Sequence, residues 1–315
     1  MAPKVKKMSE DFRFGFVTII GKPNAGKSTL MNRIIGQKIS ITSHRPQTTR
    51  HRILGIRTED NKQIVFVDTP GIHSIAKKSN RKTINKVINK TAISSIDGVD
   101  VVCLMITSRG WTEQDKLVLQ ALQDTKVPVI LLINKIDKLS SINKVLPLIA
   151  ESSTLFNFAD IVPISATSNV DAVNNVEHLV DVVSKYLPIQ GAGFDEDQIT
   201  DRSFRFLVSE LVREQLFRRL GDELPYATAV EVTQFSSENG VYHIGADIWV
   251  EKSSHKAMVI GKKGEALKKI GTSARLNCET LLEQKVFLEL FVKVRSGWSD
   301  NTRDLYSLGY DEGIK

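Results

Sequence analysis

Cysteine is scarce in this chain: two among 315 residues, Cys103 and Cys278, one in each half. Both lie in apolar patterns and read as buried, reduced thiols, which excludes a disulfide-stapled scaffold. No apolar run approaches the 18 or so residues of a membrane-spanning helix. The basic N-terminus, MAPKVKKMSEDFRF, is not followed by an apolar signal core. A cytoplasmic protein is expected, with peripheral contact at the inner face of the cell membrane left open. Internal repeats are absent. What remains is ordinary for a globular protein: 41% hydrophobic and 25% charged residues, with a formal net charge of +7. A chain of this length exceeds one comfortable core, so two domains are expected.

Residues 1–12 read as a basic tail. Residues 13–187 alternate β-rich and helical patterns, with strands near 14–20, 52–58, 62–68, 99–106, 127–133 and 160–164. Helices fit near 27–36, 81–95, 113–123, 140–153 and 171–187. That alternation predicts an α/β domain with a mixed, mostly parallel sheet and ligand loops at the carboxyl ends of strands. The strands flanking TEDN form a hairpin, which gives one antiparallel edge. Residues 188–200, PIQGAGFDEDQIT, read as a linker. Residues 201–315 change character. A helix over 201–220 precedes two alternating strands near 226–235 and 241–251. Then come helix, IGKKG, helix, a strand over 285–295 and a short helix.

The chemistry concentrates at strand ends. GKPNAGKS, residues 21–28, follows the apolar run FGFVTII and opens a helix. A G-x-x-x-x-G-K-[ST] pattern in that setting is a phosphate loop. Gly21 and Gly26 let the backbone wrap phosphate oxygens, and Lys22, Pro23, Asn24 and Ala25 complete the turn. Lys27 is placed to reach the β- and γ-phosphates, and Ser28 to hold Mg²⁺. DTPG follows another strand. Asp68 can hold the metal through water, Thr69 and Pro70 continue the strip, and the Gly71 N–H can face the γ-phosphate. In QTTRH, residues 47–51, Thr49 is the expected third metal ligand, dependent on γ-phosphate. The catalytic set is therefore Lys27, Thr49 and Gly71. NKID, residues 134–137, selects the base. The Asp137 carboxylate suits the paired N–H donors of guanine and would be unmatched against adenine. Asn134 would bridge to the phosphate loop, and the Lys135 stem would lie on the purine. Ser165 and Ala166 bring backbone N–H groups towards the guanine oxygen. The ligands are thus GTP or GDP with Mg²⁺.

In the second half, Gly261-Lys262-Lys263-Gly264 lies between two helices. A G-x-x-G placed there lets an RNA backbone approach closely. Residues 201–315 carry 17 basic and 17 acidic residues, so no domain-wide charge attracts nucleic acid. Residues 252–275, however, hold seven bases, Lys268 among them, against one acid. A local stripe is the expected footprint. Val259 and Ile260 could offer apolar surface to bases or belong to the core. A second basic run, residues 77–90, has six bases and no acid. It reads as an exposed helix face or as a nucleotide-dependent RNA contact.

GKPNAGKST, ITSHRPQTTRHRILGI, DTPG, NKID and ISA, followed by DQITDR, ELPYATAVEV and IGKKG, resemble the Era-type GTPases over nearly the whole chain. The resemblance implies a P-loop GTPase domain and then an α+β KH domain of type II. The partners it implies are the 3′ end of small-subunit ribosomal RNA and the subunit whose assembly the protein assists. A monomer is expected. Asn24 resembles the asparagine through which related GTPases bind K⁺. Many regulatory GTPases carry a water-orienting glutamine after the D-x-x-G glycine, where this chain has Ile72, so slow intrinsic hydrolysis is expected. His73 beside it reads as structural, and neither Arg50 nor Arg52 is marked as a transition-state arginine. Two readings stay open: a GTP-driven switch, or an RNA-binding module whose nucleotide is structural.

Overall fold

The computed structural model describes residues 11–45, 48–70, 97–167, 175–221 and 223–310. They form two units. The first comprises residues 11–36, 52–70 and 97–201, and the second residues 37–45, 48–51 and the described part of 202–310.

The first unit is built on a six-stranded sheet. Its strands are β1 (Arg13–Ile20), β2 (Ile53–Glu59), β3 (Lys62–Asp68), β4 (Val101–Thr107), β5 (Val129–Asn134) and β6 (Asp160–Pro163). The order is β2-β3-β1-β4-β5-β6. β2 and β3 pair antiparallel and close at Glu59 opposite Lys62. All other pairs are parallel. β3, β4 and β5 are buried along their whole length, the signature of strands covered on both faces. Around them lie α1 (Lys27–Ile35), α2 (Glu113–Gln120), α3 (Leu146–Leu155) and α4 (Val176–Ser184). The core includes Ile20, Leu104, Ile106, Leu122, Leu131 and Ile133.

The helix expected over 140–153 begins later. Pro147 occupies its first turn, where the missing N–H costs nothing, and a 3₁₀ turn over Ile142–Val145 precedes it. The helix expected over 81–95 lies outside the described residues.

Residues 188–200 lie along this unit. Gly193 and Phe194 donate their N–H groups to Gln63 Oε1 at 2.9 and 3.0 Å, and Thr200 bridges to Gly55 on β2. A side chain at Gly193 would meet the Phe14 ring at 2.3 Å, so only glycine lets the backbone pass there.

The second unit runs α5 (Phe204–Arg219), β7 (Thr228–Glu238), β8 (Val241–Val250), α6 (Ser253–Ile260), α7 (Glu265–Leu282), β9 (Lys285–Val294) and α8 (Thr302–Ser307). β7 and β8 form an antiparallel hairpin whose turn, Asn239-Gly240, has positive φ at both residues, as a two-residue hairpin turn requires. β9 lies parallel to β8. Val212, Leu216, Ile248, Ile270, Ala274 and Val292 pack one sheet face against the long helices. Trp249 and Ala229, from β8 and β7, pack with Trp298, Leu305 and Tyr310.

Among the described residues no helix is long and apolar enough to cross a membrane. Cys103 and Cys278 are buried, free thiols, and burial pushes both up to about 12.

Candidate functional site

β1 flanks both β3 and β4, so the loops leaving its carboxyl end and those of its neighbours converge, as expected where strand order reverses. Residues 21–26 form that loop on β1. Gly21 and Gly26 take φ of 152° and 114°. A Cβ on Gly21 would stand 2.4 Å from the Met105 carbonyl oxygen, and one on Gly26 2.2 Å from Asn134 Nδ2. Both glycines are therefore required by conformation and by space. Gly26 opens α1 without a side-chain cap. That leaves the first-turn amides directed at the loop's concavity, where an anion is favoured.

Lys27 is buried, and its ammonium folds back onto the loop, donating to Gly21 O at 3.1 Å and Lys22 O at 3.2 Å. Burial lowers its pKa to about 8, against the opposing pull of Asp68. A cation held this way gains most from a multiply charged anion. Asp68 ends β3 and is fully buried, as is Thr69, whose hydroxyl donates to Ile19 O at 3.3 Å. Gly71, Ile72, His73 and the basic run over 77–90 lie outside the described residues.

Asn134 lies at the end of β5. Its Nδ2 donates to Ala25 O at 2.8 Å, while Oδ1 accepts from Lys135 N at 2.7 Å and Ala166 N at 3.0 Å. One buried amide thus ties the phosphate loop to both base-side loops. Lys135 takes φ of 67° and donates from Nζ to Asn24 O at 2.6 Å. Burial, then repulsion from Lys138, Arg109 and Lys22, lowers its pKa. Asp137 is exposed, with Oδ1 accepting from the Ser165 hydroxyl at 2.5 Å. That bond aims the carboxylate. The glycine cradle, the buried lysine and the exposed, oriented carboxylate fit a guanine nucleotide.

Sequence reading missed the residues that hold Lys22. Its Nζ donates to Asp115 Oδ2 at 2.8 Å and Thr112 Oγ1 at 3.1 Å. Thr112 and Asp115 form the capping box of α2, and the legible signal was T-x-x-D before a helix.

Thr49 belongs to segment 37–51, described with the second unit. That segment is anchored by buried polar groups. Glu214 accepts from Thr42 N at 3.0 Å and pairs with Lys38. Arg213, paired with Glu210 through two bonds of 2.6 Å, donates to Thr48 O at 2.6 Å. Arg50 donates to Thr228 O at 3.0 Å and Pro225 O at 3.1 Å. Its role is thus positional within this unit.

In the G-x-x-G segment, Gly261 has φ of 72°, and a Cβ there would stand 2.6 Å from Ala266 Cβ. Lys263 and Gly264 also take positive φ. Lys262, Lys263, Lys268 and Lys269 are exposed. Arg275 is instead engaged with Glu279 at 2.7 Å. Of the two readings left open for Val259, the core is the one seen: it is fully buried between helix and sheet, and Ile260 packs beside it. The side chain that reaches solvent is Met258, 53% exposed and one position earlier on α6.

A family model described as "50S ribosome-binding GTPase" matches residues 16–135, and one described as "KH domain" matches residues 223–299. The chain is 48% identical over 303 residues to GTPase Era of Xanthomonas oryzae pv. oryzae, covering 96% of this chain and 99% of that protein. It is 48% identical over 302 residues to GTPase Era of Yersinia enterocolitica, covering 96% and 97%. Among solved structures it resembles Era in complex with MgGDPNP and nucleotides 1506–1542 of 16S ribosomal RNA (TM-score 0.88, 38% identity, 95% of this chain and 99% of that one). Aquifex aeolicus Era carrying GDP and AlF₄⁻ matches with the same TM-score of 0.88 and 38% identity, over 95% and 99% of the two chains.

Proposed function

The chain belongs to the Era family of GTPases, and on that premise we propose that its turnover of GTP to GDP and phosphate times the capture and release of the 3′ end of small-subunit ribosomal RNA during subunit assembly. The observation that carries the nucleotide half is the Asn134 amide, which locks the phosphate loop and both base loops into one concave site. For the RNA half, support comes from the relative that holds 16S RNA, 99% of whose chain is covered. The family model over residues 16–135 is described by the large subunit, but it spans only the nucleotide-binding half. The full-length relative contains the RNA-binding half as well and is the better guide.

Residue roles follow from chemistry. The backbone N–H groups at the end of the loop and the start of α1, residues 26–28, and the Lys27 ammonium take the phosphates. Ser28, Asp68 and Thr49 would hold Mg²⁺, which when bound offsets charge on the β- and γ-oxygens. The Gly71 amide is the proposed donor to the γ-phosphate. Asp137 reads the guanine N–H pair, and the Ser165–Ala166 loop, held in place through Ala166 N on Asn134 Oδ1, would border its oxygen. Asn24 would hold K⁺, which would supply further positive charge at the phosphates. The γ-phosphate acts as a switch only through contacts that GDP cannot make, here to Thr49 and Gly71. Gly261–Gly264, Lys268 and Met258 hold the RNA strand.

The test is crosslinking of a 3′-terminal 16S RNA oligonucleotide to the full chain, with a non-hydrolysable GTP analogue and with GDP. The crosslink yield and its position are expected to differ between the two. Equal yields at the same residues would overturn the coupling.

A further inference from the structure

Asp115 is fully buried, yet it is a carboxylate in the first turn of α2. A buried carboxylate is costly unless donors meet it. All three donors to Asp115 meet Oδ2, while Oδ1 is buried without a hydrogen-bond partner. Two of the donors are local: Thr112 N at 3.0 Å and Thr112 Oγ1 at 2.6 Å. The third is the Lys22 ammonium at 2.8 Å, from the phosphate loop. Lys22 retains only 15% side-chain exposure, which separates this pair from ordinary surface ion pairs.

We propose that Asp115 and Thr112 are positioning residues for GTP binding, acting through Lys22 on the phosphate loop. The Lys22 carbonyl oxygen accepts from Lys27 Nζ at 3.2 Å and from Ala25 N at 3.4 Å. Whatever fixes the Lys22 side chain therefore fixes the acceptor to which the phosphate-binding lysine is tethered. Side chains from elsewhere in the described residues hold the loop, among other contacts, at Lys22, Asn24 and Ala25. Lys135 Nζ grips Asn24 O at 2.6 Å, and Asn134 Nδ2 grips Ala25 O at 2.8 Å. Those two anchors are adjacent and come from the base-recognition motif, whereas the start of the loop is tied within itself by Lys27 Nζ to Gly21 O and Lys22 O. The third, at Lys22, comes from the helix that follows β4. It holds the phosphate side independently of the base side.

The inference rests on the reading of residues 21–28 as the nucleotide site, and not on the RNA reading. It is tested on the full chain with Lys22→Met, Asp115→Asn, the double variant and Lys22→Arg. The readouts are the dissociation rate of fluorescent GDP, single-turnover GTP hydrolysis, guanine-over-xanthine preference and the thermal midpoint without nucleotide. Lys22→Met leaves the capping box of α2 intact, so the pair can be broken without disturbing the helix start. Each single variant is expected to release GDP about tenfold faster, the loss of one charge-assisted hydrogen bond. The double variant should be no worse than the poorer single one. Lys22→Arg should restore retention, and base preference should not change. Wild-type release rates in both single variants, or a double variant showing the product of the two effects, would overturn the pair. So would a lowered midpoint with normal GDP release well below it. A wild-type chain that retains no guanine nucleotide would overturn the site reading itself. Normal wild-type binding with unaffected variants overturns only the pair.

Discussion

Asp137 illustrates how much one side chain can decide. Its carboxylate is exposed and acceptor-only, and Ser165 occupies one oxygen at 2.5 Å. Guanine offers two adjacent donors to such a group, whereas xanthine offers an acceptor in place of one. Asp137→Asn replaces one acceptor oxygen with an N–H donor. The variant is expected to lose about tenfold or more in GTP affinity and to gain affinity for xanthosine triphosphate, as competition binding would read. Lys27 shows the complementary case, where a residue's identity was plain and its environment was not. The motif names the lysine. Only the fold shows it buried, its pKa brought down to about 8 and its ammonium parked on loop carbonyls.

At the scale of elements, strand ends place chemistry and buried polar groups hold irregular segments. Segment 37–51 has no regular secondary structure among its described residues, and polar anchors fix it. His51 closes the segment. Its Nδ1 lies 3.1 Å from Gly309 O, and its ring packs 5.1 Å from Phe206 and 4.2 Å from Tyr310. Burial lowers its pKa to about 4, partly countered by Glu210. The unfolded chain, with an ordinary histidine, binds the proton first as pH falls. The contribution of neutral His51 is therefore complete above about pH 6.5 and is lost progressively towards pH 4, by roughly 3 kcal/mol across that window. Hydrogen exchange in α5 at pH 7 and pH 4.5 measures this. His51→Gln should flatten the difference between the two, and an unchanged difference would assign the acid loss to other groups.

For the whole molecule, charge is unevenly distributed. The chain's net charge of +7 arises outside residues 201–315, where 17 bases balance 17 acids. On the proposed reading, RNA affinity in that half comes from a local stripe that includes the exposed Lys262, Lys263 and Lys268. Replacing Lys262 and Lys263 with alanine should weaken RNA binding and reduce the salt slope by about 1.4, the release of two counterions from a single strand. A weakened affinity with an unchanged slope would point to lost shape rather than lost charge.

The phosphate loop, the base motif, the G-x-x-G turn and the order of elements were all legible in the chain, because each depends on local spacing. Period-2 and helical patterns placed the strands within a few residues, and Pro147 explains the helix that starts late. Asp115 was not legible as a partner of Lys22, since their meeting depends on β4 lying beside β1. Nor could the sequence separate Val259 from Met258: both are apolar neighbours on one helix, and packing alone buries the first and exposes the second. Composition and spacing determined which chemistry this protein carries, because ligand geometry demands particular residues at fixed intervals. Which side chains support that chemistry was decided by tertiary structure, because burial and hydrogen bonding join residues that the sequence keeps far apart.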